Sequence, residues 1–188
     1  MFQNFAAPND PVTGDARLKL LRDHMKSESV DAVLVPHADE QRNEYLPSNA
    51  ERLAWLTGFT GSAGGSVITQ DQAVLFVDGR YTLQAAEQVD GQHISVDSLI
   101  DNPPHKWFVE NASAGWVIGI DPWLHTANEV KKLKTAAEKS GSKLVLLNTN
   151  PIDAIWVDQP DPPLGPTRIH PFEFAGRTTR EKMQDMDK

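Results

Sequence analysis

Residues 48–84, SNAERLAWLTGFTGSAGGSVITQDQAVLFVDGRYTLQ, are the stretch on which the fold reading turns. Ser48 and Glu51 stand at capping-box spacing ahead of a short helical run, and Gly58, Gly61, Gly64 and Gly65 then crowd four glycines into eight residues. Glycine reaches positive φ and lets backbone pass close to backbone, so this loop reads as a structural corner pressed against a neighbouring element. Its sharper readings fail. A Walker phosphate loop needs lysine after the last glycine, where Ser66 stands. The dinucleotide fingerprint needs strand, glycines and then helix, whereas these glycines leave a helix and enter a strand. Ser62 lies in TGSAG, and a nucleophile elbow would need glycine in place of Thr60.

Beyond the glycines, two apolar runs at 67–69 and 73–77 flank Gln70-Asp71-Gln72 and predict a hairpin. Asp78-Gly79 ends the second strand, and a helix is predicted over 81–89. Arg80 therefore sits at a strand-to-helix corner, where its planar fork can grip a carboxylate: that of a ligand, of Asp78 or of Glu44. Upstream, Leu18, Leu21 and Met25 recur at helical spacing and predict a helix over 15–27. The apolar run 31–35, ended by Pro36, predicts a buried strand. The polar segment 37–47, HADEQRNEYLP, is then a loop at a strand end, where α/β folds tend to carry function. His37 and Asp39 within it are candidate metal ligands, but two do not make a site.

Downstream, 93–96 alternates like a strand, and Pro103-Pro104 introduce a helix over 105–112 with Trp107 and Phe108 at the core. Residues 116–120 predict another buried strand. Thr126 and Glu129 form a second capping box, opening a helix with Val130, Leu133 and Ala137 on one face and Gly141 as its stop. A last strand is predicted over 143–147. Strand, helix, strand, helix, strand defines an α/β fold with at least part of the sheet parallel and helices packed on it. An irregular apolar tail, 148–156, leads to QPDPPLGP at 159–166, a stiff linker. The expected organisation is a mobile leader at 1–12, a domain at 13–158, the linker at 159–166 and the start of a second domain at 167–188. In that last part 168–174 is a predicted strand, and Thr178 with Glu181 makes a third capping box. Its helix offers only Met183 and Met186, too little to bury a core, so further chain is expected downstream.

Composition narrows the function. The 188 residues are 39% hydrophobic, enough for one good-sized core. The absence of cysteine excludes disulfides, thiolate metal sites and a cysteine nucleophile, and it fits a reducing compartment. A net charge of −8 without a basic block argues against nucleic acid as a partner. Lys131, Lys132 and Lys134 read as a solvated helix face. No apolar run has membrane-spanning length and the N-terminus lacks signal-peptide features, so the expectation is a cytoplasmic protein that makes no membrane contact. The six histidines include no pair at i, i+3 or i+4, and no self-contained catalytic constellation is visible.

Several segments together resemble a known family. Residues 39–69, DEQRNEYLPSNAERLAWLTGFTGSAGGSVIT, and 73–90, AVLFVDGRYTLQAAEQVD, are similar to the N-terminal domain of three-domain Xaa-Pro aminopeptidases (aminopeptidase P), in the creatinase and prolidase superfamily. The similarity continues at Gly119-Ile120-Asp121-Pro122, at NPIDAIWVDQPDPP (150–163) and at PFEFAGRTTREK (171–182). It covers nearly the whole chain from Gly14 onward.

The resemblance implies a layered α/β/α domain with a mixed, partly parallel sheet. It also implies a parent enzyme that releases the N-terminal residue preceding proline, using two divalent metal ions, manganese or zinc, to activate a bridging water. In that family the metal ligands lie in a C-terminal catalytic domain. The expectation for these residues alone is therefore no catalytic metal and no hydrolysis. The first domain of such enzymes shapes the rim of the active-site cleft, restricts substrate length and takes part in subunit contacts. Its expected partners are its own second and catalytic domains, a second copy in a homodimer and the peptide substrate. The family's Ser-Glu-Tyr motif corresponds to Asn43-Glu44-Tyr45 and its Asp-Gly-Arg-Tyr motif to residues 78–81, which makes Glu44, Tyr45, Arg80 and Tyr81 the candidate cleft-facing residues. Gln41 stands where the family usually has histidine, and Phe76 where it has tryptophan. The competing readings are a non-enzymatic platform of the same fold that binds peptides or proteins, and a small-molecule-binding α/β domain.

Overall fold

The computed structural model describes residues 12–187, and the sheet grows outward from β1 (Ala32–Pro36). On one edge β1 pairs antiparallel with β2 (Gly64–Thr69), which turns back into β3 (Ala73–Val77) as the expected hairpin. β4 (Ser95–Ser98) adds parallel to β3. On the other edge β5 (Val117–Ile120) pairs parallel with β1, and β6 (Lys143–Leu146) parallel with β5. The order is β4-β3-β2-β1-β5-β6. Five strands run the same way and only β2 is reversed, so five carboxyl ends share one edge with the amino end of β2.

Alternation along the strands divides the core into two layers. Val33 and Val35 of β1, Ile68 of β2 and Leu75 and Val77 of β3 face α1 (Val12–Ser27), α2 (Arg52–Thr57) and α3 (Thr82–Gln88). Ala32, Leu34, Val67, Val74, Phe76, Ile118 and Ile120 face α4 (Pro104–Asn111) and α5 (Ala127–Ser140). The result is the α/β/α sandwich with a mixed sheet. Leu18, Leu21 and Met25 are buried on α1 as their spacing predicts, and α5 carries both its capping box and a left-handed stop at Gly141, φ 72°. The third capping box opens α7 (Thr179–Met186). Among the described residues no helix is long and apolar enough to cross a membrane.

Several local expectations are corrected. Ser48 and Glu51 form no capping box: Ser48–Ala50 makes one 3-10 turn, and Glu51, with φ −73° and ψ 43°, breaks the helix before α2 without any side-chain cap. Of the four corner glycines only Gly58 has positive φ, 82°, where it ends α2. β4 begins two residues later than expected because the N–H groups of His93 and Ile94 donate to the carbonyl of Asp90, extending the turn after α3. The predicted strand over 168–174 is absent. Its first residues have no regular structure, and Phe172–Ala175 is a short helix, α6, because no free sheet edge meets it and Pro171 sits at the helix start. Of the leader expected at 1–12, residues 1–11 lie outside the described residues, and Val12 already belongs to α1. Residues 160–170, across the Pro-rich segment, are exposed.

The apolar tail after β6 is a clamp. Trp156 stacks on Trp55 with centroids 5.2 Å apart, Ile152 is buried, and Asn150 donates to Asp121 at 2.8 Å. At its centre Arg52, 4% exposed, donates from Nε to Asp153 at 2.7 Å and from Nη2 to Asp153 and to Glu40 at 3.0 and 3.3 Å. Burial opposes its charge, but the hydrogen bonds and charge of Asp153, with Glu40 and Asp121, hold its pKa above the ordinary value. Gln159 closes the clamp onto Asp153 and the carbonyl of Asn49. Arg52→Ala leaves two carboxylates facing an emptied site. It should lower unfolding free energy by about 3–5 kcal/mol, read as a fall in the urea midpoint.

Candidate functional site

The loops at the carboxyl edge of the sheet carry the candidate residues, because the strand ends fix where each loop begins. β3 delivers Asp78-Gly79-Arg80-Tyr81, β1 delivers 37–47, and the glycine corner enters β2 between them. Asp78 holds Arg80 through both side-chain oxygens, with Nη2 to Oδ2 at 2.7 Å and Nε to Oδ1 at 3.1 Å, and it also accepts the Arg80 main-chain N–H. Of the two internal partners expected for Arg80, Asp78 is the one engaged. Its hydrogen bonds raise the pKa of Arg80, and Glu44 is near enough to add a smaller push in the same direction. Arg80 lies over the Tyr81 ring, 5.1 Å from its centroid.

Tyr81 is the inner member of this group. Its ring meets Phe59 edge-on at 5.6 Å, and its hydroxyl is 2.8 Å from Ser62 Oγ. Gly61 is needed at this junction: a Cβ there would collide with the Phe59 ring and lie 2.8 Å from Tyr81 Cδ1. Close approach, and not positive φ, is what selects this glycine. Gly64 is similar, with the Phe76 carbonyl 3.0 Å from where a Cβ would stand, whereas Gly65 has ordinary room. Ser62 is thus tied to a phenol hydroxyl, and no histidine shares that hydrogen bond.

The 37–47 loop is organised by Asp39. Its carboxylate, buried, accepts the N–H of Gln41 and of Asn43 at 3.1 and 2.9 Å and the Asn43 side chain at 2.6 Å. Burial works to raise its pKa, and these hydrogen bonds win, holding it below the usual carboxylate range. Asp39 is therefore a turn-former, not a metal ligand paired with His37. Arg42 reaches α5, pairing with both oxygens of Glu129 at 3.1 and 3.3 Å and donating to the Leu124 carbonyl. Glu44 and Tyr45 are exposed, Tyr45 at 88%. The structure thus brings Glu44 close enough to act on the charge of Arg80, while Tyr45 stands exposed on the same loop.

Sequence reasoning missed a cleft of about 430 Å³ beside this rim, lined by the ends of β1 and β2 and the first turns of α4 and α5. His37, His105 and His125 all lie on it. They come from three distant segments, so no spacing could have announced them. Burial lowers the pKa of each. At His37 the charges of Glu44 and Asp39 oppose this; at His125 Glu129 and Asp121 oppose it while Arg42 assists; at His105 Lys132 and Lys106 add to it. Among the described residues no three His, Asp or Glu side chains gather closely enough to share a metal ion, so these residues do not fit a two-metal centre.

An α/β/α sandwich with a mixed sheet and its polar loops gathered at one strand-end edge is the architecture this chain shares with N-terminal domains of the creatinase and prolidase type. The family model for the Creatinase/Prolidase N-terminal domain matches residues 17–159, and the chain belongs to that family. It is 38% identical over 98% of its length to "Probable Xaa-Pro aminopeptidase P" of Coccidioides posadasii (strain C735), and 36% identical over 98% to the protein of that name in Neosartorya fischeri. In each case it spans 29% of the relative. The crystal structure of X-prolyl aminopeptidase from Caenorhabditis elegans, a cytosolic enzyme with a di-nuclear active site, superposes with a TM-score of 0.82 at 29% identity, over 92% of this chain and 30% of that one. The N-terminal domain of the cytoplasmic peptidase PepQ from Mycobacterium tuberculosis shares the fold, with a TM-score of 0.57 at 24% identity over 74% of this chain and 98% of that one.

Two measurements test this geometry. Gly61→Ala should cost about 1–3 kcal/mol of stability by forcing Phe59 and Tyr81 apart. Gly79→Ala, with nothing within 4 Å of the new Cβ, should stay within about 0.5 kcal/mol of the parent in the same urea titration. Separately, the lowered pKa values of His37 and His125 mean that the unfolded chain binds more protons than the folded one below the ordinary histidine value. The unfolding midpoint should fall as pH drops from about 7 through about 6.5 toward 5, and His125→Asn should flatten the fall. The depressed carboxyls of Asp39 and Glu129 act lower. Their contribution, complete above the ordinary carboxylate pKa, is lost in a further decline below about pH 4. An unchanged midpoint across the upper window contradicts the histidine assignment.

Proposed function

We propose that this chain serves as the non-catalytic first domain of an Xaa-Pro aminopeptidase, forming one wall of the cleft in which a peptide with proline in second position is held. The observation that carries the reading is the similarity across 98% of the chain to Xaa-Pro aminopeptidase P relatives of which it spans 29%. On this reading the two divalent metal ions, manganese or zinc, belong to a separate catalytic domain and supply the activated water. What this chain supplies is binding and orientation.

Arg80 is suited to that task because Asp78 pins it in place while leaving it largely exposed. A guanidinium held from one side can present its remaining N–H donors to a peptide carbonyl or carboxylate without losing much freedom on binding. Glu44 offers a negative group near it, Tyr81 backs the arginine, and Tyr45 extends the apolar reach of the rim. The same edge is proposed to rest on the catalytic domain and to contribute to a homodimer, in the cytoplasm as for the Caenorhabditis elegans enzyme.

The isolated chain with manganese should show no turnover of an Xaa-Pro peptide, and appreciable hydrolysis overturns the proposal. In the whole enzyme, Arg80→Ala should reduce kcat/KM for a proline-containing tripeptide by about tenfold, with an unchanged urea midpoint. Wild-type kcat/KM in that variant removes Arg80 from the cleft.

A further inference from the structure

The cleft at the carboxyl edge has a chemical character that the rim residues do not explain. Its floor is apolar, made by Leu34, Leu99 and Leu133, and its polar groups are His37, His105, His125, Lys132 and the Arg42–Glu129 pair. Glu129 is already neutralised by Arg42 and by the hydrogen bonds of its capping box. The Lys132 side chain makes no hydrogen bond or ion pair among the described residues. The groove alongside, about 460 Å³ between α4 and α5, shares His105 and Lys132 and adds Lys106, Lys131 and Lys139 against one acid, Glu110. The first turn of α4 opens on the cleft, whereas the amino end of α5 is already closed by Thr126 and the Glu129 carboxylate. In a chain of net charge −8 the basic groups thus gather on the α4–α5 side of the cleft, whereas Asp39, Glu44 and Asp121 act on His37 and His125 at its other side.

A volume of about 430 Å³ is within the range of small-ligand pockets, which combine an apolar lining with a few convergent polar groups. We propose that this cleft is a binding site for a compact organic oxyanion, a carboxylate or phosphate group seated by Lys132 and His105 with its apolar body against Leu34, Leu99 and Leu133. The group comes either from the C-terminus of a short peptide or from a phosphate monoester.

The test is titration of the 188-residue chain, followed by the NMR shifts of its histidine rings, with phenyl phosphate, a proline-containing tripeptide and the C-terminal amide of that tripeptide. Saturable binding of phenyl phosphate or of the tripeptide acid, moving His105 and His125, is expected. The peptide is the source if the acid binds about tenfold or more tightly than its amide, and a phosphate ester is the source if phenyl phosphate alone saturates. Lys132→Gln should weaken binding by about fivefold and Lys132→Glu by about tenfold or more, whereas Lys134→Glu, elsewhere on the same helix, should change it by less than about twofold. The proposal is overturned if neither anion saturates, or if the Lys132 and Lys134 variants weaken binding equally. These titrations involve no turnover, so their outcome is independent of the aminopeptidase reading.

Discussion

The buried guanidinium of Arg52 is the constraint on which the rest of the molecule hangs. It lies on the helix that precedes the glycine corner, and its two acceptors come from opposite directions along the chain, Glu40 from the loop after β1 and Asp153 from the tail after β6. Burying a charge is unfavourable unless opposite charge and hydrogen bonds meet it, and the packing of the three segments brings both carboxylates to Nε and Nη2, with Nη1 buried and without a partner among the described residues. Trp55, on the same helix as Arg52, stacks on Trp156 of the same tail that carries Asp153. The consequence reaches the candidate site: Glu40 belongs to the same loop as Glu44 and Tyr45, and Asp39, its neighbour, closes the turn that presents them. The polar edge is thereby fixed to the apolar core through one side chain.

The edge itself divides its labour between fixed and exposed groups. Tyr81, Phe59 and Gly61 are locked by mutual contact, and Asp78 is committed to Arg80, which leaves Arg80, Glu44 and Tyr45 as the parts that face outward. Rigid support beneath a few exposed charged and aromatic groups is what the proposed role as a cleft wall calls for. The hydroxyl best placed in the corner, Ser62, is bonded to a phenol.

Much of this was legible in the residues because it depended on local periodicity. The hairpin around Gln70-Asp71-Gln72, the apolar stripe of α1 and the capping boxes at Thr126 and Thr178 are decided within a few residues, and the structure follows them. Ser48 and Glu51 carry the same spacing without the motif, since the segment spends its first residues on a 3-10 turn that hands the chain into α2. Spacing permits a cap, and geometry decides it. The predicted strand at 168–174 failed for a related reason: extended propensity needs an edge to pair with. In the candidate site, Asp78 and Arg80 could be paired from two-residue proximity. The Arg42–Glu129 contact, the Arg52–Asp153 pair and the three-histidine cleft join residues far apart in the chain, and no short-range pattern encodes them. A charged residue beside buried Leu53 and Leu56 was the one available hint of the Arg52 clamp.

The position of β1 in the sheet orders events during synthesis. Its antiparallel partner follows soon after it, with Val33 set against Ile68, but its parallel partner is distant, with Ala32 set against Ile118. A nascent chain can therefore zip β1, β2 and β3 together while the opposite flank of β1 still offers unsatisfied amides and carbonyls. Until β5 emerges, that bare flank is the point at which one unfinished molecule could capture another.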